Sequence, residues 1–77
     1  MEVEVRFYGR VSETTGLSSA KYQDVKNIDA LLNLLKGEFP KLQNLQYTMA
    51  LNQVIINTNT TFKDGDIIAI LPPFAGG

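Results

Sequence analysis

Val3, Val5 and Phe7 alternate with Glu2, Glu4, Arg6 and Tyr8, the period-two pattern of a strand with one face buried. Gly9 and the polar run Ser12–Gly16 read as a turn, and beyond it Ala20, Tyr22 and Val25 alternate weakly as a second strand. Together these pieces predict an N-terminal hairpin. The period then changes: Ile28, Leu31, Leu32, Leu35 and Phe39 recur every three or four residues, which places them on one side of a helix. Asn27 offers an oxygen to the first free amides, Asp29 lies where the helix dipole favours an anion, and Gly37 and Pro40 bound the far end. The spacing predicts an amphipathic helix to about residue 38, with the cluster Leu31, Leu32, Leu34 and Leu35 in the core.

From Thr48 to Ile56 two short apolar pieces flank the turn-prone pair Asn52-Gln53, predicting a small hairpin. A polar stretch, Asn57–Thr61, and the turn signal Lys63-Asp64-Gly65-Asp66 follow. Ile67–Leu71 then runs without polar interruption, which suits a central strand covered on both faces. Strand, strand, helix, short strands and a final central strand make an α+β fold, the order of the ubiquitin-like β-grasp. A mixed sheet with one main helix across it is expected, its first and last strands parallel at the centre. The domain is expected to span residues 1–71 and an extended tail residues 72–77.

Composition narrows the chemistry. At 77 residues the chain has room for one small core. It contains no Cys and no His, which removes disulfides, thiolate chemistry, the usual zinc sites and an imidazole base. Seven Lys and Arg balance eight Asp and Glu, so the basic footprint of a nucleic-acid binder is missing. No apolar run approaches the roughly 20 residues that span a bilayer, and the N-terminus lacks the pattern of a secretory signal; no membrane partner and a cytoplasmic location are expected. Asp64 and Asp66 flank a glycine, but two carboxylates without further ligands read as a solvated turn, and no metal site is expected. Lys21, Lys26, Lys36, Lys41 and Lys63 read as solvated surface charge.

The strongest functional signal is Pro72-Pro73-Phe74-Ala75-Gly76-Gly77. Two prolines end sheet pairing and push the chain outward. Side chains then shrink toward Gly76-Gly77, which can thread a slot that any Cβ would obstruct. By itself a Gly-Gly end is also what a frayed terminus looks like. Directly after the last strand of a β-grasp, however, it resembles the ubiquitin-like sulfur carriers. Asp64-Gly65-Asp66 through Gly77 is similar to the C-terminus of the molybdopterin synthase small subunit, the MoaD family. Phe7-Tyr8-Gly9, Glu13, Gly16 and Ala50-Leu51-Asn52-Gln53 agree with it. Ser12 departs from it, since family members frequently carry Arg there.

That resemblance implies a non-catalytic carrier subunit of a sulfurtransferase with no bound cofactor. An ATP-dependent adenylating enzyme would activate the Gly77 carboxylate beside Gly76, consuming ATP. The resulting thiocarboxylate would enter the large synthase subunit, in an expected heterotetramer, and give sulfur to cyclic pyranopterin monophosphate. The resemblance also implies partner contacts at Ile55, Leu71, Pro72, Pro73, Phe74 and Ala75. For Ile55 and Leu71 a plain core role is equally open; Phe74 has no evident core to enter and suits a partner's groove. A thiamine-type sulfur carrier, which usually lacks the paired prolines, stays open. So do a protein modifier that forms isopeptide bonds and a simple interaction domain.

Overall fold

The computed structural model describes residues 1–73. Five strands form one sheet in the order β2-β1-β5-β3-β4. Strand β1, Glu2–Phe7, pairs antiparallel with β2, Ser19–Gln23, so the two meet as the N-terminal pattern predicts. The segment between them is not a simple turn. Gly9–Thr15 forms a short helix, α1, ended by Gly16 in the left-handed region at φ 74°, a conformation that suits glycine. Its one buried side chain, Val11, is 1% exposed. A single apolar residue sets up no period, so the polar run concealed the helix. Val25 lies beyond β2 and is buried on its own account.

Helix α2 spans Ile28–Glu38. Asn27 caps it, its Oδ1 accepting from the Ala30 N–H at 2.9 Å, and Asp29 and Lys36 occupy the ends that suit their charges. The helix passes through Gly37, and Pro40 opens a 3₁₀ helix, Pro40–Asn44, that buries Leu42. Leu31 and Leu35 are fully buried and Leu32 packs on the core's edge, but Leu34 is 37% exposed. It therefore leaves the core cluster expected for it, because a helical turn carries it past the apolar stripe.

Strands β3, Thr48–Leu51, and β4, Val54–Ile56, form the expected hairpin, turned at Asn52 and Gln53, both with positive φ. Strand β5, Ile67–Leu71, fills the centre, parallel to β1 and antiparallel to β3, with Val5 opposite Ile68 and Thr48 opposite Leu71. Covering on both faces is overturned: Ile68 and Ile70 are buried, whereas Ile67, Ala69 and Leu71 are only half-buried. The core lies between one face of the sheet and α2, where Val3, Val5, Phe7, Leu31, Leu35, Ile68 and Ile70 meet. Phe7 stands edge-on to Phe39 with ring centres 6.4 Å apart. Phe62, buried to 3%, closes the core from the loop before β5. Among the described residues no helix is long and apolar enough to cross a membrane.

Candidate functional site

The central strand fixes where the tail leaves. Leu71 is the last residue of β5, held between Thr48 of β3 on one side and β1 on the other. Just past β1, the Tyr8 N–H donates to the Ile70 carbonyl at 3.1 Å. Pro72 has no N–H to continue the ladder. It lies against Gly9 so closely that a Cβ on Gly9 would come within 2.6 Å of the Pro72 ring. Gly9 itself has φ 57°, so close approach and backbone conformation both favour glycine. Pro73 then reaches toward the other side of the strand. The predicted site residues Phe74, Ala75, Gly76 and Gly77 lie outside the described residues.

Two surfaces meet at this exit. The first is the sheet face turned away from α2. Tyr8 keeps extended backbone angles, so it shares that face with Glu4 and Arg6. Pairing sets Arg6, Ala69, Ala50 and Ile55 in one row across the sheet. Leu71 and Thr48 follow in the adjacent row. Ile55 is 50% exposed on the edge strand and Tyr8 43% exposed beside the exit, so Ile55 is not a core residue. Leu71 is half-buried, and Pro72 and Pro73 are exposed. Toward β2 this face is polar, and there Arg6 pairs with Glu4, Nε to Oε2 at 2.6 Å; that hydrogen bond, then its charge, raises the pKa of the guanidinium.

The second surface is a groove of about 550 Å³ between the start of α2 and the β3–β4 edge, lined by Ile28, Leu32, Tyr47, Met49, Ile55 and Pro73 among others. Burial raises the pKa of the Tyr47 phenol at its wall.

Asp64 and Asp66 serve the turn before β5. Glu2 N–H donates to Asp64 Oδ1 at 2.7 Å. Asp66 accepts from Lys63 N–H at 2.7 Å and from Asn52 Nδ2 at 3.0 Å, and these bonds, the backbone one first, hold its carboxyl below the usual range. Asn52 Oδ1 in turn accepts from Ile67 N–H at 2.9 Å, which ties the β3–β4 turn to the start of β5. Among the described residues there is no group of three or more His, Cys, Asp or Glu that would hold a metal. Ser12, where the resemblance departs, donates to the Leu17 carbonyl at 2.9 Å and so helps close α1.

Tyr8 is the residue at the exit that sequence reasoning did not single out. Its signal was present: it continues the outward positions Glu2, Glu4 and Arg6, and an aromatic in that series faces solvent. The groove gave no comparable signal, because its walls come from four separated segments of the chain.

The family model described as ThiS family matches residues 5–77. The chain belongs to the ThiS family. This member is 30% identical, over 82 aligned positions covering 100% of it and 99% of the relative, to the molybdopterin synthase sulfur carrier subunit of Mycobacterium tuberculosis. The MoaD-type, ubiquitin-like character read from the tail is thereby borne out. A chain in the solved complex of subunits 1 and 2 of the molybdopterin-converting factor from Helicobacter pylori is 31% identical, with TM-score 0.74 and full coverage of both chains. Small archaeal modifier protein 1 from Methanosarcina acetivorans is 27% identical, with TM-score 0.79, covering 99% of this ThiS-family chain and 96% of that one. The expected β-grasp is thus the fold that these relatives share with this ThiS-family chain.

Proposed function

We propose that this chain is the sulfur-carrier small subunit of a molybdopterin synthase. The observation that carries the reading is its likeness, over the whole length, to a sulfur carrier subunit and to a chain of a two-subunit converting factor. An exit at the end of the central strand and an apolar face beside it suit a protein that docks by its sheet and delivers its tail. An ATP-dependent enzyme adenylates the Gly77 carboxylate, releasing pyrophosphate and leaving AMP as a good leaving group on a carbon that resists substitution when ionised. A sulfur nucleophile displaces AMP, and the thiocarboxylate donates its sulfur to cyclic pyranopterin monophosphate within the large subunit. Tyr8, Ile55 and Leu71 meet the partners, Pro72 and Pro73 aim the tail, and Phe74, Ala75 and Gly76 occupy the partner's channel.

Intact-mass measurement of the protein from its native cells tests this reading. The expected result is a species in which one sulfur has replaced one oxygen, absent when Gly77 is deleted. The deletion leaves thermal unfolding unchanged, because the tail lies beyond the last strand. A mass that never shows the exchange overturns the sulfur-carrier role. The likeness to an archaeal modifier protein favours one second reading, in which the same activated acyl group is taken by a lysine amine. Adducts of the protein's mass on other chains would mark it.

A further inference from the structure

The described glycines differ in what surrounds them. Around Gly16, Gly37 and Gly65 no described atom lies within 4 Å of the place a Cβ would take, whereas at Gly9 that place is 2.6 Å from Pro72 Cγ and 3.4 Å from Pro72 Cδ. Carbon atoms in contact stay about 3.5–4.0 Å apart, so a side chain as small as alanine's would push the two segments apart by about 1 Å. We propose that Gly9 is a positioning residue for the tail: the room left by its missing side chain seats the Pro72 ring and sets the direction in which the chain leaves the domain. The effect on sulfur transfer rests on the carrier reading; the contact does not.

What yields at this contact decides the consequence. Gly9 belongs to a fixed wall. Tyr8, just before it, donates its N–H to the Ile70 carbonyl at 3.1 Å and accepts from the Val11 N–H at 3.2 Å, and Val11 is buried in the core. Pro72 is exposed and follows Leu71, the last residue that β5 pairs with β3. A Cβ at position 9 therefore displaces Pro72 and not α1. Ring closure ties Cγ to the backbone, so the ring cannot step aside as a flexible side chain would. Nor do the next bonds absorb the shift: φ is locked at Pro72 and Pro73, and Leu71 and Pro72, each preceding a proline, are held to extended values of ψ. The displacement is handed on along the tail. An error of about 1 Å where a group is delivered costs about a hundredfold in rate.

The first arm of the test is NMR on the full chain, carbon-13 labelled, without partner or sulfur. Contacts are expected between the Gly9 Hα protons and the ring protons of Pro72. In Gly9→Ala the Pro72 and Pro73 carbon resonances move, while those of Ile68, deeper in β5, stay in place. Missing contacts, or proline resonances left unmoved, overturn the proposal. The second arm measures molybdopterin formation by the thiocarboxylated chain with a molybdopterin synthase large subunit and cyclic pyranopterin monophosphate. An unaltered chain that makes no product defeats the carrier reading, and the first arm then decides the proposal alone. With product, Gly9→Ala is expected to slow transfer at saturating large subunit at least about tenfold while changing affinity for that subunit less than about twofold. Pro72→Ala removes Cγ and Cδ and leaves a Cβ 3.9 Å from a Cβ at position 9, an ordinary contact. In that background Gly9→Ala is expected to cost less than about twofold. Equal losses in both backgrounds mark the backbone strain of a left-handed alanine and overturn the proposal. Gly9→Asn tolerates that conformation but carries the same Cβ, so it should lose as much as Gly9→Ala; full activity overturns the proposal as well.

Discussion

The two faces of the sheet are built from the same strands, yet alternate residues have opposite fates. On one face Val3, Val5, Phe7, Ile68 and Ile70 are nearly sealed beneath α2. On the other, Ile67, Ala69 and Leu71 are as apolar but only half-covered, and Tyr8 and Ile55 at its margins are exposed. An apolar residue on the first face contributes to folding, because burying it removes apolar surface from water. On the second, it contributes little until another protein covers it. Within β1 and β5 the division is by residue parity, so a one-position change there moves an experiment from stability to recognition.

Substitutions in adjacent rows test that division. Ile68→Ala, on the covered face, is expected to cost about 2–5 kcal/mol through lost transfer energy and a cavity, read as a lower denaturant midpoint at unchanged slope. Ile55→Lys, on the open face, is expected to change stability by less than about 1 kcal/mol, because lysine is well tolerated on an edge strand. Its affinity for the large subunit is expected to fall at least about tenfold, roughly 1.4 kcal/mol, in a titration with the folded variant. Equal affinities would erase the distinction between the faces.

A pH titration sharpens the contrast from the edge of the core. Burial, followed by the nearby Glu38 carboxylate, pushes the Tyr22 phenol up to about 12. An unfolded tyrosine ionises near pH 10. The native state therefore keeps this proton when the unfolded state has lost it. Its contribution to stability is complete below about pH 10 and is lost as pH rises through about 12. Tyr22→Phe should flatten the alkaline decline in unfolding free energy. The smallest effect is expected at Leu34: Leu34→Ala should alter stability by no more than about 0.5 kcal/mol, whereas an effect as large as that of Ile68→Ala would return Leu34 to the core.

The same parity explains what could be read from the chain. Strand β1 was legible because Glu2, Glu4 and Arg6 mark its outward side, and α2 because its leucines keep helical spacing under an Asn27 cap. Strand β5 was legible as central but not as one-sided. Ile67, Ala69 and Leu71 are apolar on an open face, and in sequence such residues look the same as core. Helix α1 and the 3₁₀ helix at Pro40 were missed because Val11 and Leu42 each act alone, and one anchor makes no pattern. The likeness to the MoaD family was legible from the composition of the C-terminal segment. The surfaces at its base were not, since they depend on the register that brings Tyr8, Leu71, Thr48 and Ile55 onto one face and on the packing that forms the groove.

The placement of β5 between β1 and β3 has a mechanical consequence. Tension on the tail runs along the axis of β5, whose backbone hydrogen bonds reach both neighbours at once. They are loaded together in shear and do not peel open one by one. Pulling at the end of β5 therefore strains the pairing with β1 and with β3 together, which makes the central strand a firm base for whatever its end delivers.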